Sequence, residues 1–171
     1  SIRKGADWLY NGRFLIHPSW KERALEIQGD GLMPVGPPVP LDALVGNGSD
    51  GVLEGHASTI YYDGTEQYRY WLRNDVQGEV AFLLASAGSL LNNDKYDETS
   101  EHLMDYMFYE ANFRQGPRAN KDSASYGLLG WSATHPYVFY NDDNARSLLG
   151  VIGASAYLKN ERWNKFVVEC I

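Results

Sequence analysis

The sequence predicts an all-α domain of about three helical hairpins, with long loops and one short β-hairpin gathered on a single face. Three observations predict it. A buried helix, a short turn and an amphipathic helix recur after 67 residues, counted from Asp75 to Asp142. The connections between hairpins are much longer than the turns inside them. The chain of 171 residues is 44% hydrophobic, enough for one core and against disorder.

Ile2 to Phe14 reads as the first helix, His17 to Trp20 as a turn, and Trp20 to Ile27 as the second helix. Gly5 and Gly12 weaken that pair, since glycine inside a helix costs backbone entropy. The connection from Gln28 to Trp71 follows. Its stretch GLMPVGPPVP reads as irregular. Its stretch IYYDGTEQY reads as a β-hairpin with a two-residue turn at Asp63-Gly64.

Asp75 to Leu91, DVQGEVAFLLASAGSLL, is apolar or small on nearly every face, which predicts a buried inner helix. NNDKYDE reads as the turn. TSEHLMDYMFYEANF then carries a single stripe of Leu103, Met104, Met107, Phe108 and Ala111, the pattern of an outer helix. A second long connection, from Arg114 to Asn141, precedes the repeat. Asp142 to Leu158, DDNARSLLGVIGASAYL, is again small and apolar, KNER is the turn, and Trp163, Phe166, Val167 and Cys170 form the next stripe. Such units cannot bury their faces alone and must stack. Long connections in a compact domain usually carry function. These all arrive at inner-helix N-termini.

Several classes of function are set aside. A net charge of −7 without a Lys/Arg run argues against nucleic acid. No apolar run of about 18 residues is present, so no membrane span is expected. One cysteine, Cys170, permits no internal disulfide and no Cys-based zinc site. HxH and HExxH are absent and NGSDG departs from a calcium loop, so no metal is expected. The P-loop and GxSxG are absent, and no cofactor is expected. The chain begins with Ser rather than Met, which leaves its compartment open.

The residues with chemistry lie at the two inner-helix starts. In LRNDVQGE, Asn74, Asp75 and Gln77 suffice for an N-cap, a dipole-complementing acid and a capping box. Asp75 and Glu79 also share one helical face, where like charges need a cation such as Arg73. In YNDDNAR, one cap would do, yet Asn141, Asp142 and Asp143 are all polar, and Arg146 can reach Asp142. Glycoside hydrolysis needs two carboxyl groups, one protonated and one ionised. The repeat sets Asp75 and Asp142 at equivalent ends of neighbouring helices. Axes about 8–10 Å apart suit the separation of about 6.5–9.5 Å in an inverting mechanism. Glu54, in the Gly-flanked GVLEGH, is an alternative acid. His56 and His135 could bond hydroxyls. Loop aromatics, including Trp71 and Trp131, suit stacking on sugar faces or simply pin the loops to the core.

The segments SDGVLEGHASTIYYDG, YWLRNDVQGEVAFLLASAG and YNDDNARSLLGVIGASAYL, with ADWLYNGRFL at the front, resemble the six-hairpin glycosidase-like (α/α)6 toroid superfamily, in its bacterial glycoside-hydrolase-like members. The resemblance implies a single toroid-type domain over residues 1–171. That toroid needs about six hairpins against three here, so the domain would be part of a larger ring, or would pair with the rest of the toroid or a second copy. It implies a carbohydrate ligand and a periplasmic or secreted bacterial protein. It implies acid and base roles for Asp75 and Asp142, with Glu54 in reserve. Arg73, Glu79, His56, His135, Asp143 and Arg146 would bind substrate, and Trp71 and Trp131 would stack on its rings. Two rivals stand beside the hydrolase: a non-catalytic sugar-binding or assembly module, and a sugar epimerase using His56 and His135 as a facing pair.

Overall fold

The computed structural model describes residues 1–171 as a mixed α and β structure, not an all-α toroid. Six helices accompany a three-stranded antiparallel sheet: α1 (Ile2–Asn11), α2 (Lys21–Gln28), β1 (Val35–Gly36), β2 (Gly55–Ile60), β3 (Glu66–Arg69), α3 (Asn74–Leu91), α4 (Asp94–Asp105), α5 (Asn141–Leu158) and α6 (Asn164–Cys170). The strand order is β1-β3-β2, with Val35 opposite Arg69 and Gly55 opposite the same residue from the other side.

The sheet is what overturns the predicted fold class. The hairpin around Asp63 and Gly64 is present as β2–β3, closed by five residues rather than two, with Tyr61 N donating to Thr65 O at 2.9 Å. It does not hang from a helical ring. Its inner side buries Tyr68 and Tyr70 and needs a cover. The N-terminal helices supply one. Phe14, just after α1, stacks on Tyr68 with ring centroids 5.0 Å apart, and Ile27 of α2 lies against Gly36 of β1. The first helical pair therefore serves the sheet and forms no inner-outer hairpin. β1 sits inside the proline-rich run expected to be irregular. Its two residues pair with a strand more than 30 residues later, which no local pattern announces.

The remaining helices form one body. α3 runs beside α5 on one side and α4 on another. Asn92, in the left-handed conformation, ends α3, and the Asn93 side chain accepts from Lys95 N to start α4. The turn is thus shorter than NNDKYDE. α4 continues into a π-helical turn over Tyr106–Glu110, burying Tyr106, Met107 and Phe108. α3 and α5 lie side by side with their N-termini together. A Cβ on Gly78 would sit 2.8 Å from Ser147 O, and one on Gly150 only 2.3 Å from Gly78 O. Only glycine permits that approach. Neither helix is enclosed as the inner helices of a ring would be. Phe82, Leu83 and Leu90 of α3, with Leu149, Ile152 and Tyr157 of α5, are exposed. The core instead runs through Leu84, Leu103, Met104, Met107, Phe113, Val151 and Trp163. No helix is long and apolar enough to cross a membrane.

Candidate functional site

Backbone pairing builds the site first. The extended stretch Leu72–Asn74 runs against Trp131–Ala133: Asn74 N donates to Trp131 O at 3.0 Å and Ala133 N to Leu72 O at 3.1 Å. This brings the second long connection onto the start of α3. Polar side chains then clip it in place. Asn74 Nδ2 donates to Gly130 O at 2.7 Å, and Asn144 of α5 bonds both the N–H and the C=O of Leu129, at 2.8 and 3.1 Å. Ser147 Oγ donates to Asn74 Oδ1 at 2.6 Å. Gln77 does not close a capping box. It bonds both backbone groups of Val52, each at 2.9 Å, and so holds the first long connection. The residues at the α3 and α5 starts tie loops to helices rather than capping the helices, whose N-cap positions, Arg73 and Tyr140, make no side-chain cap bond.

Inside this frame Arg73 is the hub. Its Nη1 lies 3.2 Å from Glu54 Oε1. Its Nη2 lies 2.8 Å from both Asp75 Oδ2 and Asp143 Oδ1. Those two oxygens are therefore within twice that distance of each other, closer than the separation of about 6.5–9.5 Å kept by an inverting pair. Burial works against the Arg73 charge, but the carboxylates of Asp75, Glu54 and Asp143 outweigh it and raise its pKa. Asp75 is 2% exposed. Burial, followed by a hydrogen bond with Asp143, pushes its carboxyl up to about 7, against the opposing pull of Arg73. Arg146 forms the outer bridge, with Nη1 3.4 Å from Asp75 Oδ2 and Nη2 2.8 Å from Asp142 Oδ2.

The predicted residues divide clearly. Glu54, Arg73, Asp75, Asp142, Asp143 and Arg146 come together. The inward partner of Asp75 is Asp143, while the Asp142 side chain is 66% exposed at the rim. On α5 the contact with α3 is lined by Asp143 and Ser147, not by Asp142. The inward residue on α5 is therefore shifted by one from the repeat alignment. Trp71 and Trp131 lie beside the cluster, 5.2 Å apart. Their faces already carry arginines: Arg69 is 4.6 Å from the Trp71 ring and Arg73 is 5.6 Å from that of Trp131. His135 stands at the edge of Trp131 and bonds Thr134 Oγ1 at 2.9 Å. Glu79 is exposed on α3 and joins no ion pair. His56 is elsewhere. It pairs with Glu66 and packs among Trp8, Phe14 and Tyr68. His56 and His135 do not form a facing pair.

Arg69 belongs to the site and was not anticipated from the sequence. Its Nε is 3.2 Å from Glu54 Oε2. The period-two alternation of Gln67, Arg69 and Trp71 against Tyr68 and Tyr70 was the available signal. One buried donor, Arg73 Nε, remains without a hydrogen bond here.

No family model matches this chain, and no curated protein or solved structure is significantly similar to it.

Proposed function

We propose that this chain is a carbohydrate-active protein that hydrolyses glycosidic bonds, with Asp75 as the proton donor. One observation carries this reading: a buried Asp75 carboxyl pushed up to about 7, set beside the exposed carboxylate of Asp142 on the same guanidinium. Groups driven apart in proton affinity by their surroundings are how carboxyl pairs divide acid and base work. Asp75 would give its proton to the leaving glycosidic oxygen. Asp142 would take a proton from the attacking water. Asp143 and Arg73 would position Asp75. Arg146, nearly half exposed, would turn aside to admit the sugar.

The test is turnover of oligosaccharides by Asp75→Asn and Asp142→Asn, with fold checked by circular dichroism. Both variants should lose turnover by at least about 100-fold while staying folded, the usual range for removing an acid or base. Full activity in either one removes that residue from the mechanism. A non-catalytic sugar-binding role is favoured by the near-complete cover of Asp75 by its arginines. Binding without turnover, indifferent to both substitutions, would decide for it.

A further inference from the structure

We propose that the outer face of the three-stranded sheet is a binding subsite for a neutral oligosaccharide, leading to the carboxyl cluster. This rests on reading the chain as carbohydrate-active. The subsite is separate from the catalytic roles proposed above.

A groove of about 510 Å³ opens between the β1 segment and the β2–β3 hairpin. Its size falls within the range of about 300–1,000 Å³ common for small-molecule sites. Strand alternation makes the floor. Tyr68 and Tyr70 point into the core, which sends Gln67, Arg69 and Trp71 outward along the groove. The two walls differ in chemistry. Met33 and Val35 line one with apolar surface, and Met33 is 85% exposed with nothing over it. Ser58 and Thr59 line the other with hydroxyl groups, and Gln67 adds its amide from the floor. A pyranose ring has the matching asymmetry, with an apolar face and a rim of hydroxyls.

Arg69 is set for such a ligand. Its plane rests on Trp71, and Trp71 is itself fixed by a 2.8 Å bond from Nε1 to Gly31 O. Its Nε is taken by Glu54, and its two terminal nitrogens join no ion pair. Those donors face a groove in which the arginine charge is already matched. A neutral, hydroxyl-rich ligand therefore suits it better than an anion. Glu54 joins the groove to the cluster, since its other oxygen binds Arg73.

The experiment is tryptophan fluorescence of the full chain titrated with maltohexaose, cellohexaose, xylohexaose, mannohexaose and hexagalacturonate. At least one neutral hexasaccharide should bind saturably. Gln67→Ala and Met33→Asp should each weaken it by about tenfold, the loss of one good polar or ring contact. Met33 is exposed, so its substitution leaves the fold intact. The proposal is overturned if no neutral sugar binds, if hexagalacturonate alone binds, or if both groove variants bind normally. Groove-dependent binding without hydrolysis would sink the hydrolase reading and keep the subsite. Hydrolysis indifferent to both groove variants would do the reverse.

Discussion

Replacing Asp75 by Asn should alter how stability depends on pH. The native carboxyl is raised from 3.8 to about 7 by burial and by its bond with Asp143. Between those values the native state keeps a proton that the unfolded chain releases. Stability from this group is complete below pH 3.8 and is lost as pH rises through about 7. The slope is about 1.4 kcal/mol per pH unit, or up to about 4 kcal/mol across the window. Relaxation of the cluster around the ionised group reduces this, so about 2–4 kcal/mol is expected. Asparagine has the same shape, cannot ionise, and its amide donates where the protonated carboxyl does. The variant should therefore gain on the parent steadily from pH 4 to 7 and hold a constant lead above that. Urea unfolding of both proteins at half-unit intervals, followed by tryptophan fluorescence, measures the difference. Its slope is the readout, because any packing change shifts all pH values equally. A flat difference, or one that falls with pH, would refute the assignment of a raised Asp75.

Other consequences follow from the same geometry. Arg73→Met should cost about 3–5 kcal/mol in urea unfolding at pH 7, because Glu54, Asp75 and Asp143 lose the cation they share; a loss under 1 kcal/mol would mean the carboxylates find other partners. Gly150→Ala should destabilise by about 1–3 kcal/mol, since its Cβ would press on the Gly78 backbone. Gly5→Ala, with nothing within 4 Å, should instead gain about 0.5–1 kcal/mol. Thermal melts of the two would separate in opposite directions. Ser147→Ala should lose about 1 kcal/mol or more, as Asn74 Oδ1 is left without its buried donor.

The helical part of the fold was legible because its signals are local. Small residues in GEVAFLLASAG and LLGVIGASAYL announced two helices that would be approached closely, and Gly78 and Gly150 meet as that pattern implies. The sheet was not legible. Val35–Gly36 has no strand periodicity of its own and is ordered by its partner Tyr68–Arg69. The apolar all-round character of α3 and α5 suggested enclosure, but apolar residues can also stay exposed, as Leu149 and Phe82 do. At the site, residue types and neighbourhood were readable from two helix starts and a loop. Direction was not. Asp142 and Asp143 differ by one position and by about 100° around a helix, and only packing decides which of them enters the contact. Arg69 closes the short strand β3, where the alternation that turns it outward runs over only a few residues.

The close backbone contact between α3 and α5 also divides the molecule by how it can move. Two helices locked at glycine cannot slide without first separating, so their amides should exchange with solvent only when the whole domain opens. The strand β2, whose ladder is interrupted between His56 and Ile60 and whose end is exposed, has no such restraint. Deuterium should enter there orders of magnitude sooner. Backbone motion that admits a ligand then belongs to the sheet rim, while the backbone of the helix ends beneath stays still.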